Sequence, residues 1–338
     1  MNKGILRRRA LVGLGTIPFF VPRTAKSWLV GKSAAPAESV GVPLIYTGTG
    51  ASLAVTGAGF QPNLVIIKSR TSTTGWRWTD SVRGVTKRLS SQSSAAEVTE
   101  VDGLTSFDAD GFTVGTDTDY NVNGTNYLAL AIREIAAGFN IVTYTGNGVA
   151  GSTVAHGLGV APNLIIVKSR STIQNWPVYP GAVANPEQHY MLLDTAGVKV
   201  DSNVAWNDVA PTSTEFTLGT LPNTNAATYV AWLFANKTGA ISTGVYTGNG
   251  TASGPVVTTG FQPKFVIVKR TNVGSENWRV FDNIRSSNPH EVYSTINLAD
   301  AELTLAGGCS MQATSFQFLT SDARVNALGS EYLYLSIR

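Results

Sequence analysis

"IVTYTGNGVAGST", residues 141–153, runs a β-branched stretch straight into Gly146-Asn147-Gly148-Val149-Ala150-Gly151. The glycines have the G-x-G-x-x-G spacing with which dinucleotide-binding domains bring backbone close to a pyrophosphate at a helix N-terminus. That reading needs a helix after the glycines and an acidic residue about 20 positions on. Residues 152–163, "STVAHGLGVAPN", have no helical period and hold further Gly and a Pro, and the basic "VKSR" stands where the acid should be. The alternative is a turn. Asn-Gly tolerates positive φ at both residues and signals a hairpin between strands.

Internal repetition decides between them. The string recurs as "YTGTGASLAVTGAGFQPNLVIIKSR" from Tyr46, "YTGNGVAGSTVAHGLGVAPNLIIVKSR" from Tyr144 and "YTGNGTASGPVVTTGFQPKFVIVKR" from Tyr246, at spacings of 98 and 102 residues. Only Tyr-Thr-Gly-x-Gly is kept, so the third glycine belongs to the second copy alone. Each copy continues with a tryptophan (Trp76, Trp176, Trp278), a phenylalanine in a short β-like stretch (Phe112, Phe216, Phe316) and an asparagine (Asn123, Asn225, Asn326). Each then closes on an alternating strand: "YLALAIR", "YVAWLFA" or "YLYLSIR".

A period near 100 residues exceeds a solenoid unit and matches a whole β-sandwich or small barrel. The expected organisation is a basic N-terminal arm and linker (1–41) followed by three homologous β domains (42–139, 140–239, 240–338). "NLVIIK", "NLIIVK" and "KFVIVK" are continuous apolar runs opened by Pro62, Pro162 and Pro263, as for strands covered on both faces. In the closing strand Tyr127, Ala129 and Ala131 fall on one face, and Leu128, Leu130 and Ile132 on the other. The best helix candidate is short, "SSAAEVTEVDGL" (93–104). Composition agrees with an all-β fold: 14% charged residues and 34 glycines leave little for surface helices.

Charge divides the chain. Residues 1–40 hold seven basic side chains against Glu38, net +6, and the remainder holds 18 basic and 21 acidic ones. Residues 1–35, with a basic start, an apolar run from Ala10 to Val21 and then small residues, have the layout of an export signal, and Arg7-Arg8-Arg9-Ala10-Leu11 resembles a twin-arginine start. The apolar run is too short for a membrane span. The preferred reading is an attachment arm that grips a partner through Arg7, Arg8, Arg9, Phe19, Phe20 and Trp28.

Catalytic and metal patterns are weak. Single Cys309 excludes an intrachain disulfide and reads as a small buried hydrophobe. His156, His189 and His290 occupy non-equivalent places and read as isolated loop residues. Asp108 and Asp110 in "FDADGF" lack the other ligands of a calcium loop and read as a turn. No Gly-x-Ser-x-Gly elbow or carboxylate pair marks a hydrolase. Trp76/Trp176/Trp278 and Tyr127/Tyr229/Tyr332 offer sugar-stacking faces, but anchors that recur in every copy are better read as core. Lys68, Lys168 and Lys269, each near the end of an apolar strand, are expected to snorkel at a sheet edge. No cofactor, nucleic acid or enzymatic activity is implied.

The combined pattern of the second copy (Tyr-Thr-Gly-Asn-Gly, His-Gly-Leu-Gly, Ala-Pro-Asn-Leu-Ile-Ile-Val-Lys, Asn-Trp, Tyr-Val-Ala-Trp-Leu-Phe) resembles a repeat of tailed-phage virion structural proteins, in tail-fibre and head-decoration-like chains. The resemblance covers residues 45–338. The first copy departs from it at Gly57-Ala58-Gly59, and the third lacks His-Gly-Leu-Gly. It brings no catalytic residues. It implies a non-enzymatic virion component, a tail fibre or spike or a capsid decoration or head fibre protein. Such a chain would have three tandem β-sandwich (jelly-roll-like) domains and be present in many copies or as a homo-oligomer. Its partners would be portal, tail or capsid subunits. Two alternatives stand beside it: a fibre module that binds host-surface glycans, and a secreted bacterial surface protein.

Overall fold

A computed structural model describes residues 39–338, and nearly all of its regular secondary structure is strand. Helix among the described residues is confined to Ala323–Asn326 and a 3₁₀ turn at Pro186–Gln188. Residues 93–104 form no helix: they run as loop with the short strand Val98–Thr99. The apolar positions there are too sparse for a helix to bury a face.

Each copy builds the heart of a sheet with the same pairing. An edge strand (Gly41–Thr47, Phe139–Thr145, Ile241–Thr247) lies antiparallel to the closing strand (Asn126–Ile132, Thr228–Phe234, Glu331–Ile337). The closing strand pairs on its other side with the proline-led strand (Leu64–Ser69, Leu164–Ser169, Phe265–Arg270). The register repeats to the residue: Tyr46 faces Tyr127, Tyr144 faces Tyr229, and Tyr246 faces Tyr332. A fourth strand follows (Arg77–Asp80, Pro177–Pro180, Arg279–Asp282), and the sheets grow to four, six and eight strands. In the first two copies a smaller sheet lies apart, Leu53–Thr56 with Gly111–Val114 and Leu104–Asp108, and Thr153–Ala155 with Glu215–Thr217. In the third, Val257–Thr258 and Ser315–Phe318 belong to the eight-stranded sheet, which curls into a near-barrel.

The period-2 alternation sends the two faces of each sheet to different cores. Tyr127, Ala129 and Ala131, with Val65 and Ile67, line a cluster belonging to the first copy, which Phe112 completes. Leu128, Leu130 and Ile132, with Leu64 and Ile66, point the other way. They enter one cluster shared with the second and third copies, where Trp76, Trp176, Trp232 and Trp278 meet Phe139, Phe234, Phe265 and Ile337. The proline-led strands are therefore covered on both faces, as their continuous apolar runs require. Residues 39–338 form one compact unit around this shared core. The third copy is fastened to the first where the Val40 and Gly41 N–H groups donate to the Arg338 carbonyl at 2.9 and 3.1 Å.

Candidate functional site

The Gly-x-Gly turn does not join paired strands. The strand before it pairs with the closing strand and the strand after it lies elsewhere, so the hairpin expected from Asn-Gly is corrected to a corner. The corner is pinned by a buried asparagine. Asn121, Asn223 and Asn326 accept a hydrogen bond from the N–H of the middle residue (Thr49, Asn147, Asn249) at 2.7–2.9 Å. Each donates its amide back to the turn, to Ala51, Val149 and Thr251 carbonyls. The recurring asparagine read from sequence as Asn123, Asn225 and Asn326 is corrected in the first two copies to Asn121 and Asn223, which stand six residues before the closing tyrosine, as Asn326 does. A Cβ on Gly48, Gly146 or Gly248 would lie 2.2–2.3 Å from a carbonyl of the facing loop, and Gly50, Gly148 and Gly250 hold φ of +71°, +74° and +67°. The first glycine serves close approach and the second a left-handed backbone. With the turn N–H groups bonded inside the protein, at Gly146 to Ala227 and at Gly148 to Asn223, nothing remains to cradle a phosphate.

The chemistry-bearing side chains converge on the boundaries between copies. Indole N–H groups cross every boundary: Trp176 donates to the Ser93 carbonyl, Trp278 to Leu192, and Trp76 to Thr295, at 2.8–3.0 Å. Copy two thus reaches copy one, three reaches two, and one reaches three, which closes a ring. These tryptophans are at most 4% exposed, core anchors as their recurrence in every copy implies. Tyr127, Tyr229 and Tyr332 are buried too, stacked on Tyr46, Tyr144 and Tyr246 with centroids 4.9–5.0 Å apart. No aromatic side chain is among the large hydrophobics exposed in the described residues.

Lys68, Lys168 and Lys269 do not snorkel. They are 0–1% exposed and sit beneath the same boundaries. The Lys168 ammonium donates to the Ser94 and Gln174 carbonyls, Lys269 to Ala196 and Arg270, and Lys68 to Ser69 and Ser72. Burial lowers all three to about 8, against partial compensation from Asp300 at Lys68, Asp194 at Lys168 and Glu276 at Lys269.

Two boundaries carry the same ionic lock. Glu97 takes a bidentate pair of bonds from Arg170 at 2.9 and 3.0 Å and a third from Arg83, whose side chain is fully buried against Asp80. Burial would raise the Glu97 carboxyl, but Arg170 and Arg83 together hold it below its ordinary range. Glu302 repeats this with Arg70 and Arg285, and Arg285 pairs with Asp282. At the remaining boundary Lys199 occupies the position of the glutamate, and Thr271 that of the arginine. Lys199 pairs instead with half-buried Glu331 at 2.8 Å.

Away from the boundaries, a groove of about 340 Å³ in the second copy runs between strands Phe139–Thr145 and Thr153–Ala155. It is lined by Thr143, Thr145, Asn147, Ser152 and Thr153 and holds no ionisable side chain other than the Tyr144 phenol. That phenol is already bound to the Pro222 carbonyl, at 2.8 Å.

Other residues singled out from sequence fall apart in space. His156 and His290 are buried, not loop-exposed, and bind the Thr212 and Ser286 carbonyls; His189 and His290 each begin a strand. Asp108 accepts from Ser106 and Thr113 within its own hairpin, and Asp110 accepts from the Gly57 and Gly59 N–H groups, tying that turn to the neighbouring loop. Cys309 is buried, and burial pushes its thiol up. Among the described residues no group of three His, Cys, Asp or Glu is placed to hold a metal ion, and no helix is long and apolar enough to cross a membrane. Arg7, Arg8, Arg9, Phe19, Phe20 and Trp28 lie outside the described residues. Sequence reading missed the Glu97 and Glu302 locks. Their signal was the pairing of Glu with Val98 or Leu303 at equivalent places in two copies, hidden by Lys199 in the third.

A family model described as a domain of unknown function, DUF7483, matches residues 42–338, so one family unit spans all three copies. Neither the curated proteins nor the solved structures yield a match. The chain belongs to the DUF7483 family.

Proposed function

We propose that the protein is a non-enzymatic structural component of a bacteriophage virion, a tail fibre or spike or a capsid decoration or head fibre protein. It would be docked to portal, tail or capsid subunits through residues 1–41 and present in several copies. The three repeats then act as sandwich-like domains fused into one platform. The observation that carries this reading is where the reactive side chains are engaged. The buried lysines, the locking glutamates and the recurring tryptophans hold one repeat to the next, and none is left facing a cleft. A protein so built offers rigidity and surface in place of catalysis, and it needs no disulfide to survive outside a cell. The likeness of its repeats to virion proteins and the basic arm support the location.

Mass spectrometry of purified particles tests the proposal, comparing the whole chain with a variant lacking residues 1–41. Peptides from 42–338 should copurify at a fixed ratio to the capsid protein and disappear from particles when the arm is deleted. A chain found only in the medium, with its N-terminus cleaved near residue 35, would instead establish a secreted bacterial surface protein. Binding of host glycans has lost its aromatic platforms to the core and is not favoured.

A further inference from the structure

The outer flank of each repeat contains no charge. Residues 41–56, 139–155 and 241–258 hold no Asp, Glu, Lys, Arg or His, although 14% of the chain is charged. Each of these segments includes an edge strand of seven residues with a neighbour on one side only. Natural sheets protect such edges with lysine, proline, bulges or a covering element, because unpaired N–H and C=O groups template pairing with another chain.

Protection is present here on the inner half of each edge alone. The antiparallel alternation turns the backbone of residues 43, 141 and 243 outward. Position 43 is proline, with no N–H to offer. The Ile141 N–H is taken by the Glu134 carboxylate at 2.9 Å, and the Thr243 N–H by the Asn236 side chain at 2.6 Å. Three different devices thus close equivalent positions. The next outward positions, Ile45 and Thr47, Thr143 and Thr145, and Val245 and Thr247, have no such plug among the described residues. All six of these side chains are β-branched and uncharged, and Ile45 and Val245 are 43% and 36% exposed.

We propose that copies of this chain associate with one another through these three outer half-edges. Each edge pairs antiparallel with an edge on a second copy, about a local twofold. Such an interface is isologous, and an edge without charge meets itself without like charges facing across the axis. A charged or chemically distinct partner would leave some complementary mark on the edge, and none is there. One half-edge offers only a few hydrogen bonds and holds weakly. Three per chain, spread over three repeats, give the association its strength through avidity. The inference gives the structural-component reading its mode of assembly, resting on that reading for purpose and on the edges for chemistry.

Sedimentation of the full chain over a concentration series tests it, alongside the triple variant Ile45→Lys, Thr143→Lys, Val245→Lys. A control variant, Val101→Lys with Ile173→Lys, alters exposed apolar residues away from the edges. Circular dichroism and melting temperature check that all three are folded. The wild type and the control should gain mass with concentration, and the triple variant should associate about tenfold more weakly or not at all. A wild type that stays monomeric throughout overturns the proposal. So does a triple variant that associates like the wild type, including one whose association is lost only when residues 1–38 are removed. A monomeric wild type still incorporated into particles would overturn this mode of assembly and leave the virion reading intact.

Discussion

Trp176 shows how one residue type serves two levels of structure. Its ring fills the shared core, stacked on Trp232 at 5.6 Å, while its N–H crosses to the Ser93 carbonyl. Trp176→Phe should cost about 2–3 kcal/mol, from lost volume plus a buried carbonyl without a donor, read as a lower urea midpoint. The two glycines of the corner should separate in the same assay. Gly148→Ala places a side chain at positive φ and should cost about 1 kcal/mol. Gly146→Ala drives a Cβ into the Thr224 carbonyl and should cost clearly more. Equal costs would mean that the corner gives way where the packing says it cannot. The recurrence of Tyr-Thr-Gly-x-Gly made the corner visible in sequence. Its partner asparagine was blurred, because two asparagines stand two residues apart at Asn121/Asn123 and Asn223/Asn225; their burial and the common six-residue spacing to Tyr127, Tyr229 and Tyr332 tell them apart.

Among the elements, strands were easier to read than the contacts between them. The apolar runs after Pro62, Pro162 and Pro263 and the alternation of "YLALAIR" identify strands and faces, since period 2 is a local property. Which face meets its own repeat and which meets the others depends on contacts hundreds of residues apart, such as Trp76 with Thr295, and leaves no local trace. The boundary lysines were misjudged for the same reason: Lys168 sits near the end of its strand, but a loop of the preceding repeat roofs it. The locks give a ranking. Glu97→Ala leaves the fully buried Arg83 with Asp80 as its one carboxylate, takes the bidentate partner from Arg170, and should cost about 2 kcal/mol. Lys199→Ala breaks a partly exposed pair and should cost under about 1 kcal/mol. Urea unfolding of the two variants checks the order, and a costlier Lys199→Ala would contradict the assignment of the locks.

For the whole molecule, the buried lysines set a pH dependence. An unfolded lysine holds its proton to about 10.4, and these three release it in the folded state at about 8. Between those values the unfolded chain binds more protons, so stability rises with pH. The Cys309 thiol, pushed up by burial, opposes this as a single group. Above about 10 the buried phenols of Tyr46, Tyr144 and Tyr246, all raised by burial, reverse the trend because only the unfolded chain ionises there. The melting temperature should therefore climb from pH 7.5 to pH 9.5 and fall beyond pH 10; a monotonic fall from pH 7.5 would show the lysines to be solvated.

The shared core and the ring of boundary bonds make residues 39–338 one cooperative body, although the sequence reads as three domains in a row. Differential scanning calorimetry of the full chain separates the two descriptions. One transition, with a calorimetric enthalpy equal to the van't Hoff enthalpy and a size fitting about 300 residues, is expected from the ring. Two or three resolved transitions, or a calorimetric enthalpy near three times the van't Hoff value, would contradict it and leave three domains that merely touch.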